Sequence, residues 1–217
     1  MENVECPNMA RIVVLFASQL EAQGFKIPPD CTHRVEFLIS GVGAYAAQYS
    51  LHEYCVRNSP DIIINAGIAG SFSEQYKIGQ VVSVNRDCFA DVGVHNESGF
   101  QSIFDINLAN PQQQPFVNAW LPIECAPLPH SLPQVSAITV NSITATGTQR
   151  NVWLKKYNPA IETMEGAAAH YVALQQNIPC LHLRAISNMV GERNKTKWDI
   201  PLALRNLYGE LWEIVKK

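Results

Sequence analysis

Apolar residues fall in short runs separated by polar or glycine-rich joints. "RIVVLF" (11–16) has the β-branched character of a buried strand, and "VEFLIS" (35–40) is another, closed by the turn "GVG". Ala44, Ala47, Leu51 and Cys55 then recur at helical spacing, which predicts a helix over 43–57. "DIIIN" (61–65) follows Pro60 as a further buried strand, and "AGIAGSF" after it is expected to be a glycine-rich turn. "QVVSVNRD" (80–87) and "VSAITV" (135–140) are predicted strands. Between them, 105–134 carries Pro111, Pro115, Pro122, Pro127, Pro129 and Pro133 and is expected to be mostly loop.

"TMEGAAAHYVALQQN" (163–177) predicts a helix, with Met164, Ala168, Tyr171 and Val172 on one stripe. "CLHLRAIS" (180–187) is the next strand. Leu204, Leu207, Tyr208, Leu211, Trp212 and Val215 mark a strongly amphipathic C-terminal helix. This alternation predicts an α/β fold of three layers, α/β/α, around a central mixed, mainly parallel sheet. Ligands of such folds sit at the carboxyl ends of the strands. Three polar or glycine-rich strand exits become candidate site walls: "ASQLE" after 11–16, "NAGIAGS" after 61–65, and "SN" after 180–186.

Composition narrows the choice. The chain has 217 residues, 47% apolar and 16% charged, which suits one compact unit over 10–217. A net charge of −3 without a basic block argues against nucleic acid as a partner, and no apolar run has membrane-span length. "MENVECPNMA" lacks a positive charge ahead of an apolar run, so residues 1–9 are expected to be a flexible extension rather than a secretory signal. The six cysteines show no zinc or redox spacing and are expected to be reduced thiols of a cytoplasmic protein.

Several polar residues stand where chemistry could be. "NAGIAGSF" lacks the Lys of a phosphate-binding loop and the Gly-x-Gly of a dinucleotide site. Its plain use is a tight turn, though its glycines allow close approach to a ligand. Glu165 is either a helix-capping carboxylate or a group aimed into a crevice; Glu162, one turn earlier, could do the capping. Glu21 is a surface acid or a site acid. Asn188 satisfies its own turn or faces a ligand.

These signals coincide in one arrangement. The chain resembles the purine nucleosidase and nucleoside phosphorylase superfamily, and within it the futalosine hydrolases, relatives of the methylthioadenosine/S-adenosylhomocysteine nucleosidases. The resemblance is carried by "ASQLE", "SGVGAYAA" (40–47), "PDIIINAGIAGSF" (60–72), "IGQVV" (78–82), "ETMEGAAAHYVA" (162–173) and "RAISNMVGERNKTKWDI" (184–200). It implies a nucleoside phosphorylase-like fold and hydrolysis of futalosine to hypoxanthine and dehypoxanthine futalosine, in menaquinone biosynthesis. It implies that Glu21 activates water, that Met164 and Glu165 grip ribose, and that Asn188 stands where adenine-specific relatives carry an Asp. Ile68, Ala69, Gly70 and Ser187 are implied pocket walls, with Ser142, Ile143 and Phe89 as further candidates. Arg193, Lys197 and Trp198 are candidates for the 5′ substituent, the alternative for Trp198 being to pin the last helix. A homodimer or higher homo-oligomer is implied.

The chemistry fits these residue types. Cleaving the glycosidic bond builds positive charge on ribose and negative charge on purine, in an oxocarbenium-like transition state. A carboxylate under the ribose favours the cation. A second acid must reach a water on the face opposite the base. Neither step calls for a metal or cofactor. A 6-oxopurine presents acceptors at N7 and O6, where adenine presents an acceptor and a donor. An Asn amide NH₂ donates toward both acceptors. The rivals are an adenine-directed nucleosidase, disfavoured by Asn188; a phosphorylase, disfavoured by the missing Arg before "NAGIAG"; and a non-catalytic nucleoside-binding protein, which would not need Glu21.

Overall fold

A computed structural model describes residues 9–97, 99–123 and 126–216. The expected N-terminal extension lies, except for Met9, outside the described residues. The elements are β1 (Arg11–Phe16), α1 (Gln19–Ala22), β2 (Arg34–Ile39), α2 (Ala44–Asn58), β3 (Ile62–Ser71), β4 (Val81–Asp87), β5 (Gly93–Asn96), β6 (Gly99–Ser102), β7 (Leu121–Pro122), β8 (Gln134–Thr139), α3 (Gly147–Tyr157), β9 (Ile161–Thr163), α4 (Gly166–Gln176), β10 (Cys180–Met189) and α5 (Ile200–Val215). No helix among the described residues is long and apolar enough to cross a membrane.

β2, β1 and β3 pair in parallel as an open wing. β3 then pairs in parallel with β10 over nearly its whole length, from Ile63 opposite Cys180 to Ser71 opposite Met189. β10 continues antiparallel to β4, β4 parallel to β8, and β8 parallel to β9. β9 returns antiparallel to β3, Glu162 opposite Gly70. The expected mixed, mainly parallel sheet is therefore present, and five of its strands close into a ring.

Side chains alternate across the wing with the period of two that a strand imposes. Val13, Leu15 and Ile63 bury against Leu51 and Cys55 of α2 and Ala169, Val172 and Ala173 of α4. Ile12, Val14, Phe16, Ile62 and Ile64 face the other way, onto Ala203, Leu204, Leu207 and Leu211 of α5. The α5 stripe is the one its periodicity predicts, with Ala203 and Ile214 added and Tyr208 and Trp212 at its margin. Each fully buried Leu or Ile contributes roughly 1.5–3 kcal/mol of burial.

Several elements differ from expectation. "NAGIAGS" is not a turn: it is the second half of β3. Its glycines keep φ out of the left-handed region, and the reversal is made later, where Gly79 takes φ +86°. β10 runs on through Asn188, which is thus not at a strand exit, and it carries a bulge between Ile186 and Asn188. β9 takes residues 161–163, so α4 begins only at Gly166. α3 has Trp153 as its one buried residue among those described, so it offers no stripe to read.

Candidate active site

α1 is one turn long and is held by a capping box. Ser18 Oγ accepts from Glu21 N at 3.4 Å, and Glu21 Oε2 accepts from Ser18 N at 3.1 Å. The other oxygen, Oε1, accepts the backbone N–H of Ile68 at 3.1 Å, across to β3. Tyr208 of α5 donates to the Glu21 carbonyl at 2.9 Å. Both carboxylate oxygens of this buried acid are thereby bonded. Gly67 gives this acid its room: a Cβ there would stand 2.8 Å from Glu21 Oε1 and 3.4 Å from Arg184 Nη1.

Glu165 occupies the N-cap position of α4, yet its side chain makes no cap bond to that helix. Oε1 instead accepts from Gly43 N at 2.8 Å, at the start of α2. Gly43 has φ +97°, which glycine adopts freely. The carboxylate thus lies at the positive end of α2, which favours its charge. Burial nonetheless pushes its pKa up, against the Gly43 N–H and the Arg184 charge. Glu162 does not cap α4 either. It sits in β9, accepts from Thr144 N at 3.0 Å, and bonds the Thr144 hydroxyl.

Beside Glu21, across Gly67, lies Arg184 of β10, 2% exposed. It donates to Asn65 O at 3.1 Å, Leu183 O at 3.0 Å and Asn65 Oδ1 at 3.0 Å. Burial pulls its pKa down, while Glu165 and then Glu21 hold it up. Arg184 is the site residue that sequence reasoning missed. Its signal was present: His182 and Arg184 alternate with Leu181, Leu183 and Ala185, so one face of an apolar strand is polar.

Further along the β3–β10 seam, the bulge re-aims the chain at Ser187 and Asn188. Ser187 Oγ donates to Asn188 Oδ1 at 2.8 Å and lies 3.3 Å from Ala69 O. Asn188 Nδ2 donates to Met189 O at 3.0 Å, so the amide does serve its own backbone. A Cβ on Gly70 would come within 3.3 Å of that Nδ2. Ile68, Ala69, Gly70, Ser187 and Asn188 therefore share one stretch of seam with Glu21 and Arg184.

A match to the Phosphorylase superfamily spans residues 32–216. The futalosine hydrolase of Acidothermus cellulolyticus is 31% identical over 182 residues, 81% of this chain and 73% of that one. The chain belongs to the phosphorylase superfamily and, within it, to the futalosine hydrolase family. The Streptomyces coelicolor futalosine hydrolase is 29% identical over 154 residues, 68% of this chain but 62% of that protein, a little under two thirds of its length. The Helicobacter pylori futalosine hydrolase structure superposes with a TM-score of 0.77 at 14% identity, over 95% of this chain and 97% of that one, and so shares the fold. Nucleosidases named for 5′-methylthioadenosine and S-adenosylhomocysteine also match, at 25–28% identity.

The remaining candidates of this futalosine hydrolase family member are distributed unevenly. Met164, half-buried, joins β9 to Glu165. Phe89 packs on Ala44, Ala47 and Ala168, next to the Gly43–Glu165 bond. Ser142 and Ile143 are exposed on a loop tethered through Thr144 to Glu162. Lys197 is paired with Glu192 at 2.6 Å. Arg193 lies 5.4 Å from the Trp198 ring centroid. Trp198 donates to Glu192 O at 3.0 Å, so its indole pins the 192–198 loop rather than the last helix.

Proposed function

We propose that this chain cleaves the N-glycosidic bond of futalosine with water, releasing hypoxanthine and dehypoxanthine futalosine, in menaquinone biosynthesis. The observation that carries the reading is that two buried acids are held over the strand ends, Glu21 by Ile68 N of β3 and Glu165 by Gly43 N, with the buried Arg184 of β10 meeting Glu21 beside Gly67. Glu21, locked by Ile68 N–H and Ser18, is the base that takes the proton of the attacking water. Glu165 grips the ribose hydroxyls, with Met164 beside it, and its charge favours the cation that grows on the sugar. The Arg184 charge opposes the upward push of burial on Glu165.

Asn188 reads the base. Its amide donates toward N7 and O6 of the departing hypoxanthine once it turns from the Met189 carbonyl. An adenine would leave that amide facing a donor, at about 1–3 kcal/mol. Ile68, Ala69, Gly70 and Ser187 line the pocket, with Phe89, Ser142 and Ile143 at its edges. Arg193 meets the 5′ carboxylate, while Lys197 is already paired with Glu192.

Water rather than phosphate is the nucleophile. Arg184 spends three N–H groups on Asn65 and Leu183 and is flanked by two carboxylates, an arrangement that repels an anion. The enzyme works as a cytoplasmic homo-oligomer; the exposed Val42, Tyr45 and Tyr49 around the start of α2 support a second copy as their cover. Hypoxanthine release from futalosine in phosphate-free buffer tests the reading, and strict dependence on phosphate would refute it.

A further inference from the structure

One buried cluster has no part in this chemistry. Asp87 at the end of β4, His170 on α4 and His182 on β10 are all fully buried, and a ligand atom from each lies within 4.8 Å of the others. The two imidazoles meet edge to face, centroids 4.7 Å apart. Neither nitrogen of either ring has a hydrogen-bond partner among the described residues. Buried polar atoms in native folds almost always have partners, so four such nitrogens in one place call for one.

The surroundings are built as a cradle. Gly166 closes it from above: a Cβ there would strike Asp87 Oδ2 and stand 2.7 Å from His182 Cε1 and 2.8 Å from Thr163 Oγ1. The Asp87 carboxylate is oriented by Cys88 N at 2.7 Å and by the Thr139 hydroxyl, 3.1 Å from each oxygen. Thr139 in turn accepts from Ala167 N at 2.7 Å, and Thr163 Oγ1 accepts from Gly166 N at 3.2 Å. The first N–H groups of α4 are thus turned to hydroxyls and away from the cluster.

We propose that Asp87, His170 and His182 bind a divalent first-row transition-metal ion, zinc being the probe. Two imidazoles with one carboxylate suit zinc and its neighbours, whereas magnesium and calcium prefer oxygen alone. Ligand atoms about 2.0–2.2 Å from such an ion stand roughly 3.3–3.5 Å apart, so the cluster closes by about an ångström on loading. The ion is structural. It ties β4, α4 and β10 together directly beneath Gly166, the residue after Glu165, and so fixes the height of the ribose-gripping carboxylate. This inference does not depend on the identity of the nucleoside.

The test uses the full chain grown in zinc-supplemented medium, gel-filtered in chelator, with zinc measured by mass spectrometry and its ligands by X-ray absorption. About one zinc per chain, bound to nitrogen and oxygen with imidazole scattering, is expected. Asp87→Asn and His170→Asn should each lower the retained zinc at least about tenfold. Free zinc at 100 times Kd should raise the Tm of stripped protein by about 5–10 °C. Zinc at background in the wild type, sulfur in its shell, or equal retention by both variants would overturn the site. If the variants do not fold, the wild-type zinc content and shell decide alone. These readouts need no nucleoside, so failure here is distinguishable from failure of the futalosine assay.

Discussion

The Glu21 carboxylate accepts the backbone N–H of Ile68 at 3.1 Å, joining a one-turn helix to the middle of a strand 47 residues away. That bond fixes the distance between the acid and the seam that carries Arg184 and Asn188. Glu21→Gln preserves it, since an amide oxygen accepts from Ile68 and a Gln also completes a capping box. The variant should keep its Tm and its KM for futalosine within about threefold while kcat falls about 10²–10⁴-fold. Wild-type turnover would remove Glu21 from the chemistry.

Gly67 makes this approach possible. Gly67→Ala puts a methyl 2.8 Å from Glu21 Oε1, so the carboxylate must shift. A stability loss of about 1–3 kcal/mol is expected from overpacking, with a fall in kcat of about 10²-fold from the misplaced base. Denaturant unfolding and steady-state kinetics check the two effects separately. An Ala variant with full activity would show that Glu21 need not sit against the strand.

Glu165 links activity to pH. Burial raises its pKa in the fold, so the folded chain holds the proton to higher pH than the unfolded chain, whose value is near 4.5. The stabilising contribution is complete below that value and is lost as pH rises through the folded pKa. Glu165→Gln should therefore raise Tm at neutral pH, with the gain shrinking toward pH 4.5, while turnover is lost. The acid limb of wild-type kcat/KM should lie above the ordinary Glu range. A Gln variant less stable than wild type at neutral pH would contradict this.

Asn188 is the proposed reader of the base. Asn188→Asp should shift the ratio of hypoxanthine to adenine release toward adenine by at least about tenfold, measured with futalosine and methylthioadenosine side by side. An unchanged ratio would mean that the amide serves only Ser187 and Met189, as its bonds in the free chain would allow.

Much of this was legible in the sequence. β1 matches its predicted span, α2 is shifted by one residue, and the stripe of α5 is the predicted one, because each has a clear apolar period. Glu21, Glu165 and Asn188 are candidates through the resemblance alone, since no local pattern singles them out. The second half of β3 was not, because glycines signal a turn by default; here Gly67 instead admits the Glu21 and Arg184 side chains, and Gly70 those of Val190 and Asn188. Ring closure was not legible, since a strand's pattern does not name its partner. Arg184 hid within an apolar strand, and Asp87, His170 and His182 are too far apart in sequence for any spacing rule.

The central claim is that this fold hydrolyses a 6-oxopurine nucleoside. Its most direct test is kcat/KM for base release from futalosine and from methylthioadenosine, each in phosphate-free buffer. The account predicts hypoxanthine release from futalosine without phosphate, at least about tenfold more efficient than adenine release. Adenine release as the dominant activity, or no release from futalosine until phosphate is added, would contradict it.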